Sequence, residues 1–286
     1  MSKEGFARQK ILLRETASYL IRDFKYIYNA IGQWVIVFNT NFELGDKFRS
    51  TYYFFRHVDD VLDCDRKVNQ DPIHYANTMI NAIEKEKFDF EIYPILKLAK
   101  ISLEYLELVK KPGDQPKKLM IDVIKGMMTD NLRLRSGIAL KQETLFEEYR
   151  KQFYPMHNLQ LICIGSEIRF REKIDIFPLL QARIQGLSDL EKDWGKHLIN
   201  IPLEVLETAQ IKPRSAAYED IIKSPEIRVW IYQEALDCQK QLKRVKEDLA
   251  TQLAGQNEHY SRIIYWGLIK GLERSLRKII RDFKGE

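Results

Sequence analysis

Tyr52-Tyr53-Phe54-Phe55-Arg56-His57-Val58-Asp59-Asp60-Val61-Leu62-Asp63 decides how this chain is read. The stretch lacks Gly and Pro and lies inside a helical pattern that starts near Lys47. Residues three and four apart share a helix face, so Asp59 and Asp63 stand one turn apart with Asp60 beside Asp63. Three carboxylates this close repel each other unless positive charge sits among them. Arg56 supplies part of it, and a divalent cation would supply the rest. Hard oxygen ligands suit Mg²⁺, which takes one or two protein carboxylates and completes its shell with water and phosphate. A solvated acidic turn is the plainer reading. Against it stand the apolar neighbours Tyr52, Phe54, Phe55, Val58, Val61 and Leu62, which a surface turn rarely has.

A second acidic pair lies far downstream. Asp189-Leu190-Glu191-Lys192-Asp193 again places two Asp residues at i,i+4. Two helices facing one cavity with such pairs can hold two or three Mg²⁺ ions around a diphosphate, neutralising it as a leaving group. An apolar, aromatic remainder of that cavity would shield the carbocation left behind, and ring faces would stabilise it.

Composition sets the frame. The 286 residues are 45% hydrophobic and 30% charged, an ordinary globular balance with ample core. The net charge of +5 is mild, and Lys and Arg are interspersed with acids, so nucleic-acid binding is not expected. Cys64, Cys163 and Cys238 show no CxxC spacing, which argues against a disulfide framework or a zinc site. The first 22 residues are studded with charge and do not read as a signal peptide, and the longest apolar run, Trp34 to Phe38, is too short to span a bilayer. A cytoplasmic protein is expected, touching a membrane at most at its surface.

Helical periodicity recurs almost throughout, giving one all-α domain over 1–286. Helices are expected over about 7–31, 46–64, 71–85, 91–110, 116–136, 143–165 (interrupted or bent at Pro155), 178–195, 225–253 and 258–283, with Val35 to Phe38 as a lone β-like run. Asp71-Pro72 and Ser224-Pro225 read as N-caps followed by a first-turn proline.

With both acidic motifs in place, the chain resembles the squalene/phytoene synthase family, the head-to-head prenyl diphosphate synthases, over nearly its whole length. Tyr52, Phe54, Arg56, Asp59, Asp60 and Asp63 fit the family's Y-x-F-x-R-x-x-D-D-x-x-D. Gly126-Met127-Met128-Thr129-Asp130 looks like its G-M-x-x-D segment, and Asp189 and Asp193 match its D-x-x-x-D. Tyr149 and Tyr265 fall at family tyrosines, Gln185 at a metal-proximal Asn position, and Pro202 closes the segment. The resemblance implies a class I isoprenoid synthase helical bundle around a central cavity. It implies Tyr52, Tyr149 and Tyr265 as catalytic groups, Asp59, Asp60, Asp63, Asp189 and Asp193 as metal ligands, and Arg56, Gln185 and Phe54 at the substrate.

Departures from the family pattern bear on the reaction. Phe153-Tyr154-Pro155 replaces small residues and would narrow the channel for a prenyl tail. Ala182 stands for a glutamine, Ser188 for an arginine, and Leu198 and Asn200 for Arg and Tyr. The lost arginines remove bidentate diphosphate contacts, for which Lys196 or another cation would substitute in part.

The expected function is Mg²⁺-dependent head-to-head coupling of two farnesyl or geranylgeranyl units. The alternatives are a class I terpene cyclase using one prenyl diphosphate and a non-catalytic scaffold relative. No GxGxxG follows a strand, so NADPH is not indicated. Substrate chain length, product and oligomeric state stay open. The last helix is amphipathic, with Leu268, Ile269, Leu272, Leu276, Ile279, Ile280 and Phe283 on one side and basic residues besides. It is expected to pack on the domain, with peripheral attachment to an anionic leaflet as the other reading.

Overall fold

A computed structural model describes residues 9–17, 42–254 and 259–284. Among these residues every regular element is a helix. They are α1 (9–17), α2 (Phe42–Leu62), α3 (Pro72–Lys85), α4 (Leu96–Val109), α5 (Pro116–Ser136), α6 (Gln142–Cys163), α7 (Phe177–Ser188), α8 (Leu190–Gly195), α9 (Leu203–Thr208), α10 (Tyr218–Ile221), α11 (Pro225–Gln252) and α12 (His259–Phe283). The β-like run at 35–38, and the part of the first expected helix beyond residue 17, lie outside the described residues.

The chain divides into two compact units. Unit 1 comprises 1–128 and 158–167; unit 2 comprises 129–157 and 168–286. The divisions fall inside α5, inside α6 and in the loop after α6.

Unit 1 is built on α2, which packs against α3 and α4. Phe54, Val58, Val61 and Leu62 recur at helical spacing and are fully buried. Asp71 caps α3 as its sequence requires. Its Oδ1 accepts the Ile73 and His74 amides at 2.8 and 3.2 Å, and Pro72 occupies the first turn.

In unit 2, ten of the twelve residues of α7 are buried, and α11 and α12 both pack on it. The buried residues of α11 (Ile227, Ile231, Ala235, Cys238, Leu242, Val245, Leu249) and of α12 (Ser261, Tyr265, Ile269, Leu272, Leu276, Ile279) alternate steps of three and four. That is the seam of two helices meeting along their lengths. The pairs Arg228 with Phe283 and Lys246 with Glu273 show that the two run antiparallel.

The helices differ from sequence expectation in several places. The acidic helix stops at Leu62, with Asp63 in the closing turn and Cys64 at φ 60°. The helix expected from 91 starts at Leu96 because the chain over 90–95 is taken up by turns on either side of Tyr93. Pro155 neither stops nor interrupts α6. The single helix expected over 178–195 is two, broken at Asp189, whose backbone (φ −101°, ψ 9°) leaves the helical region.

Candidate functional site

The first acidic motif lies in unit 1, at the C-terminal end of α2. Arg56 sits between the carboxylates: Nη1 is 2.5 Å from Asp59 Oδ2 and Nη2 is 2.8 Å from Asp60 Oδ1. Asp60 is 3% exposed, whereas Asp59 and Asp63 are half-buried. The repulsion read from sequence is thus relieved first by a side chain of the same helix. The Asp63 amide donates to the Asp59 carbonyl at 2.7 Å, so the two acids remain one turn apart although the helix ends between them. Phe54 is fully buried, while Tyr52 is half-buried and packs edge-on against Tyr53.

Beside this turn lies a polar cluster that sequence reasoning missed. Glu15, on α1, is 6% exposed. Its carboxylate accepts from Arg66 Nη1 at 3.0 Å and lies 3.2 Å from His57 Nδ1. His57 Nε2 is 2.9 Å from the Tyr75 hydroxyl, and Arg66 Nη1 is 2.7 Å from His57 Nδ1. Burial raises the Glu15 carboxyl, but the His57 and Arg66 contacts outweigh it and hold the group below the ordinary carboxylate value. Four residues from four segments meet here, and no local spacing signals that.

In unit 2, three motif residues far apart in sequence share one neighbourhood. Arg133, one turn beyond Asp130 on α5, donates from Nη1 to Asp130 Oδ1 at 2.8 Å. Its Nη2 donates to the Ile199 carbonyl at 2.8 Å and to Asn200 Oδ1 at 2.9 Å. Asn200 Nδ2 then donates to Asp193 Oδ2 at 2.8 Å. Arg133 is 5% and Asn200 7% exposed, so a carboxylate, a guanidinium, an amide and a second carboxylate form a chain largely out of water. Tyr149 is buried within range of Arg133, Asp130, Asp193 and Glu234. Burial pushes its hydroxyl well above the ordinary phenol value, so it is a neutral hydrogen-bond donor. Gly186 makes room for it: a Cβ at that position would stand 2.7 Å from the Tyr149 oxygen.

Tyr149, Gly186 and Asn200 line a narrow cleft together with Phe146, Trp230, Arg183 and Glu234. Arg183 is held by Glu234 and Asp237, each at 2.7 Å, and lies over the Phe146 ring at 4.9 Å. The enclosed volume of the cleft is about 10 Å³, room for roughly one water molecule, far below the ~300–1,000 Å³ of ordinary ligand sites.

The remaining expected site residues of unit 2 are spread out. Asp189 and Gln185 are exposed, and Lys196 is half-buried as the C-cap of α8. Asp193 donates its amide to the Asp189 carbonyl at 2.8 Å, which keeps the second pair one turn apart. Phe153 is half-buried. Tyr154 is buried, its hydroxyl donating to the Asp175 carbonyl, and burial pushes it up to about 12. Tyr265 is 1% exposed in an aromatic box, with Phe170, Phe177 and His157 at 5.3–5.8 Å, and its hydroxyl is 3.1 Å from His157 Nδ1. It does not line the cleft beside Tyr149.

Among the described residues, no three His, Cys, Asp or Glu side chains converge as a ready-made metal cage. The donor set still fits magnesium, which needs only one or two carboxylates from each pair, and every acid of both motifs offers hard oxygen. No protein-family model matches the chain, nor does any curated protein or solved structure.

Proposed function

We propose that this protein is a magnesium-dependent isoprenoid synthase that ionises an allylic prenyl diphosphate and couples two prenyl units head to head. One observation carries the reading beyond the sequence motifs. Asp130 and Asp193 are joined through Arg133 and Asn200 beside the buried Tyr149.

Magnesium held by Asp59, Asp60 and Asp63 or by Asp189 and Asp193 would take negative charge from a leaving diphosphate. The chain's own residues do the rest. Arg56 fixes the direction of Asp59 and Asp60, and Arg133 does the same through Asn200 for Asp193. Tyr149, held neutral, presents a hydroxyl that can donate to an oxygen without carrying charge. Tyr149 and Trp230 stand beside this hydrogen-bonded chain and supply ring faces of the kind that stabilise a developing carbocation.

Bulky Phe153 and Tyr154 on α6, where the resembled family has small residues, favour a second reading: a class I cyclase closing a single prenyl chain on itself. Incubation with Mg²⁺ and radiolabelled farnesyl or geranylgeranyl diphosphate separates the two. A hydrocarbon with twice the carbons supports coupling, and one of unchanged carbon count supports cyclisation. No turnover together with no Mg²⁺-dependent substrate binding would remove both.

A further inference from the structure

Helix α12 carries a cationic ridge that the proposed chemistry leaves unused. Its apolar seam is packed within unit 2, so the side that an inserting amphipathic helix would need is already covered. The opposite side presents Arg262, Trp266, Lys270, Arg274, Arg277 and Arg281, all exposed, at steps of three and four that keep them in line. From first to last the line is about 30 Å long. Residues 259–284 hold seven Lys and Arg against two acids, a net +5. The whole chain is also +5, so the remaining residues sum to zero.

Between the first two charges stands Trp266, 65% exposed, with the Lys270 ammonium 5.8 Å from its ring centroid. The helix's two acids are engaged, Glu273 by Lys246 and Lys270 and Asp282 by Arg281. Arg262, Arg274 and Arg277 have no carboxylate partner among the described residues.

We propose that this ridge is the surface through which the protein adsorbs to an anionic lipid leaflet. A straight, convex line of cations matches a flat charged sheet, whereas a nucleic-acid backbone is ordinarily tracked by a groove. An exposed indole among cations suits the headgroup level, where Trp is enriched. Since the apolar seam is occupied, the contact is electrostatic adsorption with a Trp anchor and not insertion of the helix.

The full chain is sedimented with vesicles of phosphatidylcholine alone and of phosphatidylcholine mixed with phosphatidylglycerol. Binding is expected only to the mixed vesicles, and salt near 1 M, where the screening length is about 3 Å, releases it. Each neutralised arginine weakens binding roughly five-fold, so Arg262→Gln/Arg274→Gln/Arg277→Gln together weaken it about a hundred-fold. Trp266 emission shifts blue on the mixed vesicles, and the shift disappears in Trp266→Phe. Equal binding to both vesicles, an unweakened triple variant of native helicity, or a Trp266 emission blind to lipid overturns the proposal. Retention on duplex DNA as tight as on the mixed vesicles reassigns the ridge to nucleic acid. If the triple variant loses helicity, the Trp266 shift in the unaltered chain decides alone.

Discussion

Asn200 donates its amide to Asp193 at 2.8 Å while its carbonyl oxygen accepts from Arg133 at 2.9 Å. A side-chain amide can serve a carboxylate and a guanidinium at once because it carries both a donor and an acceptor. Asn200→Leu removes both contacts and leaves part of the Arg133 guanidinium buried without its partner. We expect a loss of ~1–3 kcal/mol in urea unfolding and a fall in kcat, because Asp193 is released. Unchanged stability and unchanged turnover would remove the bridge from the site.

Gly186→Ala places a methyl 2.7 Å from the Tyr149 oxygen, so one of the two must move. Overpacking of this kind costs about 1–3 kcal/mol. The double variant Gly186→Ala/Tyr149→Phe removes the clashing oxygen and should recover most of that loss, a coupling a double-mutant cycle in thermal unfolding reads directly. A strictly additive cycle contradicts the contact.

Within the aromatic box His157 is neutral, since burial lowers it to about 3 from an ordinary 6.5. Its folded-state value lies below the unfolded one, so between those values only the unfolded chain takes up the proton. Stability from this group is therefore full above pH ~6.5 and falls as pH drops towards 3, by up to ~1.4 kcal/mol per pH unit. Glu15, also lowered, adds its loss at the acid end of the range. His157→Gln should flatten the pH dependence between about 4 and 6 relative to the unaltered chain. Parallel stability curves for the two proteins would contradict this account.

Arg56 belongs to a largely buried ion pair, so Arg56→Met takes from Asp60 and Asp59 the guanidinium that lies between them. A destabilisation near 3 kcal/mol is expected, partly recovered in Arg56→Met/Asp60→Asn, where the buried charge is gone as well. Chemical denaturation of the two variants measures it.

For the proposed reaction itself, Asp59→Ala and Asp189→Ala should each abolish turnover while circular dichroism stays that of the native chain. Full activity in either one strikes that residue from the metal assignment.

Much of the helix pattern was legible because caps and apolar spacing are local. Asp71-Pro72, Ser224-Pro225 and the three-four seam of α12 needed nothing beyond their neighbours in sequence. The break at Asp189 was not legible, since Leu187, Leu190 and Trp194 continue an apolar period across it. The short helices α9 and α10 carry too few residues to show a period at all. At the site, Arg56 was readable from its i,i+3 and i,i+4 spacing to the acids. Arg133 stands i,i+3 from Asp130, a signal overlooked because the missing cation was sought near 196. The Glu15, His57, Arg66 and Tyr75 cluster was out of reach, since it depends on which helices pack together.

The interleaving of the two units has a consequence for synthesis on the ribosome. Unit 1 is not whole until residue 167 has emerged, by which time the first stretch of unit 2 is already outside the exit tunnel. Neither half can therefore be produced alone by a single truncation, and a stop codon anywhere in α7 yields a finished first unit attached to an orphaned piece of the second.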